Sequence, residues 1–307
     1  MEFETKERSG FIAIVGRPNA GKSSILNRLL GQKLSIVSSK PQTTRNRIMG
    51  VLTENETQLI FIDTPGLMKP RNRLDNYMVH AIQSSVAGVD AALLVVDSGR
   101  PLSDTEKDLV RRFEELGIPV VLALNKVDTL HDDKKLLLNR LQEYSAIYDF
   151  DAVVPCSAQT GENLDALKSE LKKLACTEGY IFDEDMLTDQ PERVIAAELI
   201  REKMLRLLDR ELPHCAAVLI ERMHERDNGE IIDIDATIYC ERDSHKGIII
   251  GKGGSMLKKI GTYARQDMER FFGTRVNLTL WVKVKEDWRN REGILRSLGY
   301  DESHFDE

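Results

Sequence analysis

Little in this 307-residue sequence could staple a small extracellular fold or hold a structural metal. There are four cysteines, Cys156, Cys176, Cys215 and Cys240. None forms a CxxC pair or has a histidine at metal-ligand spacing, so a zinc ribbon and a disulfide framework are excluded and reduced core thiols are expected. The six histidines are scattered, without HExxH, and none is assigned to catalysis. No apolar run approaches the roughly 20 residues of a membrane-spanning helix. The opening MEFETKERSG is charged where a signal peptide would be apolar, so a cytoplasmic location is expected. There is no internal repeat and no low-complexity tract.

What is present is an ordinary globular composition, 41% hydrophobic and 30% charged, at a length that suits two domains. The net charge of -7 argues against a nucleic-acid partner, but its distribution does not. Between Arg242 and Lys285 stand ten Lys or Arg against three Asp or Glu, a net of +7 inside an acidic chain.

Through residue 176, short apolar runs alternate with amphipathic stretches. The runs are Phe11–Gly16, Leu59–Asp63, Ala91–Asp97, Val120–Asn125 and Ala152–Ser157; helical patterns cover Leu74–Val86, Ser103–Leu116 and Asp165–Leu174. Strands apolar on both faces predict a buried, mostly parallel sheet in a doubly wound α/β domain. The acidic stretch 177–192 reads as a linker. Residues 193–290 then read as α-β-β-α-α-β: a helix to about Arg210, strands near Ala216–Arg222 and Ile231–Cys240, a short helix over Ser244–Ile250, a helix over Ser255–Phe271 and a strand over Arg275–Lys283. Residues 291–307 form a tail.

GRPNAGKS, Gly16–Ser23, fits G-x-x-x-x-G-K-[ST] between an apolar strand and a helix. In such a loop the backbone of Gly16, Arg17, Pro18, Asn19, Ala20 and Gly21 wraps phosphates, helped by Lys22 and the helix start at Ser23 and Ser24; the Ser23 hydroxyl suits Mg²⁺. DTPG (Asp63, Thr64, Pro65, Gly66) puts a carboxylate at a strand tip, where it can hold Mg²⁺ through water, and offers the Gly66 N–H to a γ-phosphate. In NKVD (Asn125, Lys126, Val127, Asp128) the Asp128 carboxylate matches the two donors of guanine and rejects adenine, which has no amine there. Ser157 and Ala158, in CSA, can reach the guanine carbonyl. PQTTR, Pro41–Arg45, supplies a threonine to ligate Mg²⁺ when a γ-phosphate is present, with Thr44 expected and Thr43 the alternative. Lys22, Thr44, Gly66 and Asn19 are the candidate catalytic groups. Where many small GTPases carry a water-orienting Gln, this chain has Leu67, which can neither donate nor accept.

In the second half, Gly251-Lys252-Gly253-Gly254 stands between a short apolar stretch and a long helix, the spacing of a KH module's GxxG loop. Lys246, Lys252, Lys258, Lys259 and Arg265 can line one face against a nucleic-acid backbone. For the two tryptophans base stacking is open, with packing expected for Trp281.

GRPNAGKS, PQTTR, DTPG and NKVD, followed by DEDMLTDQPER and GKGG, resemble the bacterial Era GTPase family over nearly the whole chain. The resemblance implies a P-loop GTPase domain followed by a type II KH domain, binding of the 3′ end of small-subunit (16S-type) ribosomal RNA, and a role in assembly of the small ribosomal subunit. It also implies peripheral membrane association. Leu67 is shared with the family. Asn19 resembles an asparagine that helps to hold K⁺ in related bacterial GTPases, where the cation stabilises developing charge. GTP, GDP and Mg²⁺ are therefore the expected ligands, K⁺ a further one, and a monomer the expected state. Two other readings stand beside this one. In the first the C-terminal domain binds a protein instead of RNA; in the second the chain is a P-loop kinase, disfavoured by the guanine-selecting Asn125 and Asp128.

Overall fold

The computed structural model describes residues 7–38, 40, 43–66, 70, 72–86, 88–130, 133–209, 212–227 and 229–300. Pro41, Gln42, Leu67 and Arg210, which figure in the expectations above, lie outside them. Residue contacts divide the chain into two compact units.

The first unit is a seven-stranded sheet. Strands β1 (Arg8–Val15), β2 (Ile48–Glu54), β3 (Thr57–Asp63), β4 (Ala91–Asp97), β5 (Val120–Asn125) and β6 (Ala152–Pro155) run in the order β2-β3-β1-β4-β5-β6. All neighbours are parallel except the β2–β3 hairpin and the short β7 (Thr177–Glu178), which pairs antiparallel with Arg8 and Ser9. The apolar runs are continuous because each strand feeds two cores. Ile12, Ile14, Leu93, Val95, Val121 and Ala123 face α1 (Lys22–Leu30) and α5 (Leu164–Lys172) through Ile25, Leu26, Leu167 and Leu171. Their neighbours Ala13, Val15, Ala92, Leu94, Leu122 and Leu124 face the opposite way, onto Leu109, Val110, Phe113 and Tyr144 of α3 (Asp104–Leu116) and α4 (Lys134–Ser145). A doubly wound sheet of this kind places loops carrying chemistry at the carboxyl ends of its strands. The helix α2 (Arg73–Val86) lies between β3 and β4 in the chain.

By residue contacts, the stretch that follows residue 176 groups with the first unit through Asp189. The acidic stretch is strapped to the first unit: the Val51 N–H donates to the Leu187 carbonyl, Thr188 Oγ1 donates to the Met49 carbonyl, and Gln58 Oε1 accepts from the N–H groups of Ile181 and Phe182. Phe182 and Met186 cover Met49, Val51 and Ile60.

The second unit contains α6 (Glu192–Leu207), β8 (Ala216–Glu225), β9 (Ile231–Cys240), α7 (Asp243–Ile250), α8 (Ser255–Phe272), β10 (Arg275–Val284) and α9 (Glu292–Ser297). Its sheet runs β10-β9-β8, with β8–β9 antiparallel and β9–β10 parallel over ten residues. This is the α-β-β-α-α-β order of a type II KH domain. The expected tail contributes the short α9 and the buried Tyr300, whose ring stacks on Trp288. Two segments from earlier in the chain, 36–43 and 70–77, group with this unit. In the first, the Val37 N–H donates to Glu202 Oε1 at 3.1 Å, Lys40 Nζ donates to the Leu208 carbonyl, and Arg201 donates to the Thr43 carbonyl.

Candidate functional site

The loop from Gly16 to Gly21 joins β1 to α1 at the carboxyl edge of the sheet. Lys22 is buried, and its Nζ donates to the carbonyls of Gly16 at 3.0 Å and Arg17 at 3.2 Å. Burial pushes its pKa down to about 8, against the opposing pull of Asp63. Glycine is required at Gly21: φ is +104°, and an added Cβ would stand 2.1 Å from the Asn125 amide nitrogen. Asn19, at φ +64°, takes the left-handed conformation that asparagine tolerates. Ser24 lies in the first turn of α1.

Three side chains from separate elements meet beside Lys22. Ser23 Oγ donates to Asp63 Oδ2 at 2.7 Å and stands 3.0 Å from Thr44 Oγ1. Ser35 Oγ donates to the same Asp63 oxygen at 2.8 Å. Asp63 is fully buried, which raises its pKa, while Lys22, Ser23 and Ser35 pull it back. Its other oxygen, Oδ1, has no hydrogen-bond partner among the described residues. A buried carboxylate oxygen without a partner, two hydroxyls and an adjacent cationic amine suit a hard, oxygen-seeking cation beside phosphate. Thr43 points elsewhere, its Oγ1 donating to the Lys40 carbonyl at 2.7 Å.

The NKVD loop is tied to the 16–21 loop through Asn125, whose Nδ2 donates to the Ala20 carbonyl and whose Oδ1 accepts from the Ala158 N–H. Asp128 Oδ1 accepts from Ser157 Oγ at 2.5 Å. Lys126 Nζ donates to Asp97 Oδ2 at 2.8 Å, and the Val127 N–H donates to the Cys156 carbonyl. Gly66 sits so close to Pro18 that an added Cβ would come within 2.8 Å of its Cα. Pro65 is buried beside it. Two expected nucleotide residues use their side chains differently. Thr64 Oγ1 donates to the Ile14 carbonyl at 2.9 Å, and the Arg17 guanidinium donates to Glu106 at 2.8 Å.

Sequence reasoning missed the supports. Asn27 Oδ1 accepts from the N–H groups of Leu34 and Ser35, placing the Ser35 hydroxyl on Asp63. Nothing in the sequence marks either residue. Asp97 was discoverable, because it ends an apolar strand at the functional edge.

In the second unit, Gly251 ends α7, a one-turn 3-10 segment spans Lys252–Gly254, and α8 begins at Ser255. Gly253 has φ +59° with open space around its Cα, the condition for close approach of another backbone. Lys252, Lys258 and Lys259 are exposed, Lys246 is half-buried, and Arg265 is held by Glu269 Oε1 at 2.7 Å. Of the tryptophans, Trp281 departs from the packing expected of it. Trp281 is 46% exposed, because the alternation of β10 turns Val276 and Val282 inward and Trp281 out. Trp288 is fully buried, its Nε1 donating to the Cys215 carbonyl at 3.0 Å. The cysteines also differ from expectation. None of the four is in a disulfide, but only Cys156 and Cys240 are buried; Cys176 is exposed beside Asp90 and Cys215 is half-buried.

A family of 50S ribosome-binding GTPases matches residues 11–126, and the KH domain family matches residues 211–289. The GTPase Era of Ruminiclostridium cellulolyticum is 48% identical over 293 residues, 95% of this chain and 97% of its own. Two crystal structures, each with a TM-score of 0.91 and 39% identity over 95% of this chain and 99% of theirs, are similar throughout. One is a variant of Aquifex aeolicus Era bound to GDP·AlF4⁻; the other is Era in complex with MgGDPNP and nucleotides 1506–1542 of 16S ribosomal RNA. With the P-loop motif, the NKVD loop and the KH unit on one chain, and with relatives this close over its length, the protein is a GTPase and belongs to the Era family.

Proposed function

We propose that this protein is a GTP-hydrolysing switch that binds small-subunit ribosomal RNA near its 3′ end through its KH domain and acts in assembly of the small ribosomal subunit. The observation that carries the reading is the meeting of Ser23, Asp63 and Thr44 beside Lys22, with an Asp63 oxygen left over. Those residues would hold Mg²⁺, which, when bound, offsets phosphate charge. Lys22 and the backbone of 16–21 bind the phosphates, Asp128 and the Ser157–Ala158 backbone select guanine, and Lys126 lies against the base. Thr44 and Gly66 answer to the γ-phosphate. Asn19 would help to hold K⁺, and equal kcat in K⁺ and Na⁺ buffers would overturn that assignment.

In the KH domain the Gly251–Gly254 loop, Lys246, Lys252, Lys258 and Lys259 meet the RNA backbone, with Arg265 a further contact. The related complex with a 16S ribosomal RNA fragment supports this class of partner. The working boundaries are 1–176 for the GTPase domain and 193–290 for the KH domain, in a cytoplasmic monomer. No helix among the described residues is long and apolar enough to cross a membrane. Peripheral membrane contact rests on the resemblance alone.

GTP-dependent binding to small-subunit ribosomal RNA 3′-end oligonucleotides tests the reading, comparing wild type with Gly253→Asp. The expected result is binding by wild type only, with GTP hydrolysis in both. Equal binding, or none by either, would make the second domain a protein-binding module.

A further inference from the structure

Glu106 lies 89 residues from the phosphate loop in sequence, yet it is completely buried against it. Its Oε1 accepts from Arg17 Nε at 2.8 Å. Its Oε2 accepts from the N–H of Ser103 at 2.9 Å and from Ser103 Oγ at 3.0 Å, so one carboxylate both caps α3 and holds the arginine. The Arg17 guanidinium also donates to the Pro101 carbonyl at 3.1 Å. Tyr144 of α4 faces the same carboxylate, and burial first, then Glu106, pushes its ionisation upward. The backbone of Arg17 does separate work: its carbonyl, with that of Gly16, receives the Lys22 amine. Whatever fixes the Arg17 side chain therefore fixes the cradle of Lys22. The connection from β4 that leads into the helix of Glu106 also touches the NKVD loop, since Asp97 pairs with Lys126 and the Ser98 N–H donates to the Asn125 carbonyl at 2.9 Å.

We propose that Glu106 is a positioning residue of the nucleotide site: through Arg17 it sets the phosphate loop in its binding conformation. Arg17 therefore serves loop architecture through its side chain, not phosphate contact. A buried carboxylate is costly unless it is paired, and Arg17, about one-fifth exposed, is the partner that reaches it from the loop. Because the pair shapes the loop before nucleotide arrives and meets no reacting atom itself, its loss should raise nucleotide Kd and KM more than it lowers kcat.

The inference rests on the guanine-nucleotide reading of the site, so the experiment has two readouts. In the first, the Kd of fluorescent GDP is measured for wild type, Glu106→Gln, Arg17→Ala, the double variant and Ser103→Ala. Each of the first two single variants should raise Kd at least about fivefold with kcat within about threefold. The double variant should be no worse than the worse single, because both changes break one interaction. Ser103→Ala weakens only the helix cap and should lower Tm with Kd within about twofold. In the second readout, amide hydrogen exchange over 16–22 in nucleotide-free protein should quicken in Glu106→Gln and Arg17→Ala but not in Ser103→Ala. Multiplicative effects in the double variant, an equal rise in Ser103→Ala, or unchanged loop exchange would overturn the proposal. Failure of wild type to bind guanine nucleotide would instead overturn the site reading, with loop exchange still deciding the role of Glu106. Should Glu106→Gln not fold, Arg17→Ala carries both readouts from the partly exposed side of the pair.

Discussion

The Asn125 amide nitrogen donates to the Ala20 carbonyl at 2.8 Å, while its oxygen accepts from the Ala158 N–H at 3.0 Å, so one side chain joins three loops. Asn125→Asp keeps the acceptor and turns the donor into a second acceptor facing a buried carbonyl. Such a mismatch costs about 1–3 kcal/mol. A Tm lower by about 5 °C and a guanine-nucleotide affinity reduced about tenfold or more are expected from thermal melts and GDP titration. A variant with wild-type values in both would show that the bridge has no energetic role.

Asp128 is held by Ser157 Oγ and lies at the loop that Asn125 secures. Asp128→Ala removes the acceptor that pairs with two guanine donors and leaves only the Ser157–Ala158 backbone to favour guanine over adenine. GTP affinity should fall by at least about 10²-fold while ATP affinity barely moves, bringing the two within about an order of magnitude. Competition of both nucleotides against labelled GDP measures this, and retained selectivity would place guanine recognition elsewhere.

The hydroxyls of Thr43 and Thr44 have different partners. Thr44 Oγ1 is 3.0 Å from Ser23 Oγ, whereas Thr43 Oγ1 is engaged with the Lys40 carbonyl. Thr44→Ala should slow GTP hydrolysis about 10²-fold with GDP affinity unchanged, since its role begins with the γ-phosphate. Thr43→Ala, whose carbonyl bond to Arg201 needs no side chain, should stay within about threefold. Single-turnover hydrolysis decides it, and the reverse ranking would make Thr43 the ligand.

Glu54, at the end of β2, accepts from Lys172 at 2.7 Å and from Lys168 at 3.2 Å, and these bonds, Lys172 first, hold its pKa below the usual glutamate value. A depressed carboxylate stabilises the fold above its unfolded pKa, and that contribution is lost as pH falls through the folded value. The group is over a third exposed, so screening limits its contribution to about 0.5 kcal/mol. Glu54→Gln should lower Tm by about 1–2 °C at pH 7, with the difference closing as pH drops below about 4. A gap that widens in acid would contradict the assignment.

The strands that feed two cores were legible because β1, β3, β4 and β5 leave little room for polar residues. The edge strand β2, IMGVLTE, was not, since its last three residues are only partly buried and a glycine interrupts it. The helix α4 was hidden by its LLL run, which breaks the 3.6-residue period and leaves Leu138 largely exposed. An acidic composition made 177–192 look like a tether. What fastens it, Gln58 from below and Phe182 and Met186 from within, exists only once the chain is folded. The phosphate and base loops could be read because their chemistry fixes residue spacing. Ser35 on Asp63 and Glu106 on Arg17 could not, because the fold alone brings together residues 28 and 89 positions apart.

The basic face of the KH domain is uneven, and that unevenness predicts which charges release counterions. Lys252, Lys258 and Lys259 are exposed, whereas Arg265 is engaged by Glu269. Each cation that neutralises a phosphate of single-stranded nucleic acid contributes about -0.7 to the slope of log K against log salt. Lys252→Ala should therefore flatten the slope for a ribosomal RNA 3′-end oligonucleotide by about 0.7 and weaken binding about uniformly across sequences. Arg265→Ala should change the slope by less than half as much, because the arginine must surrender Glu269 before it can meet a phosphate. Titrations from 50 to 300 mM KCl test this. Equal flattening by the two substitutions would mean that RNA displaces the Glu269 contact, and Glu269→Gln would then strengthen binding.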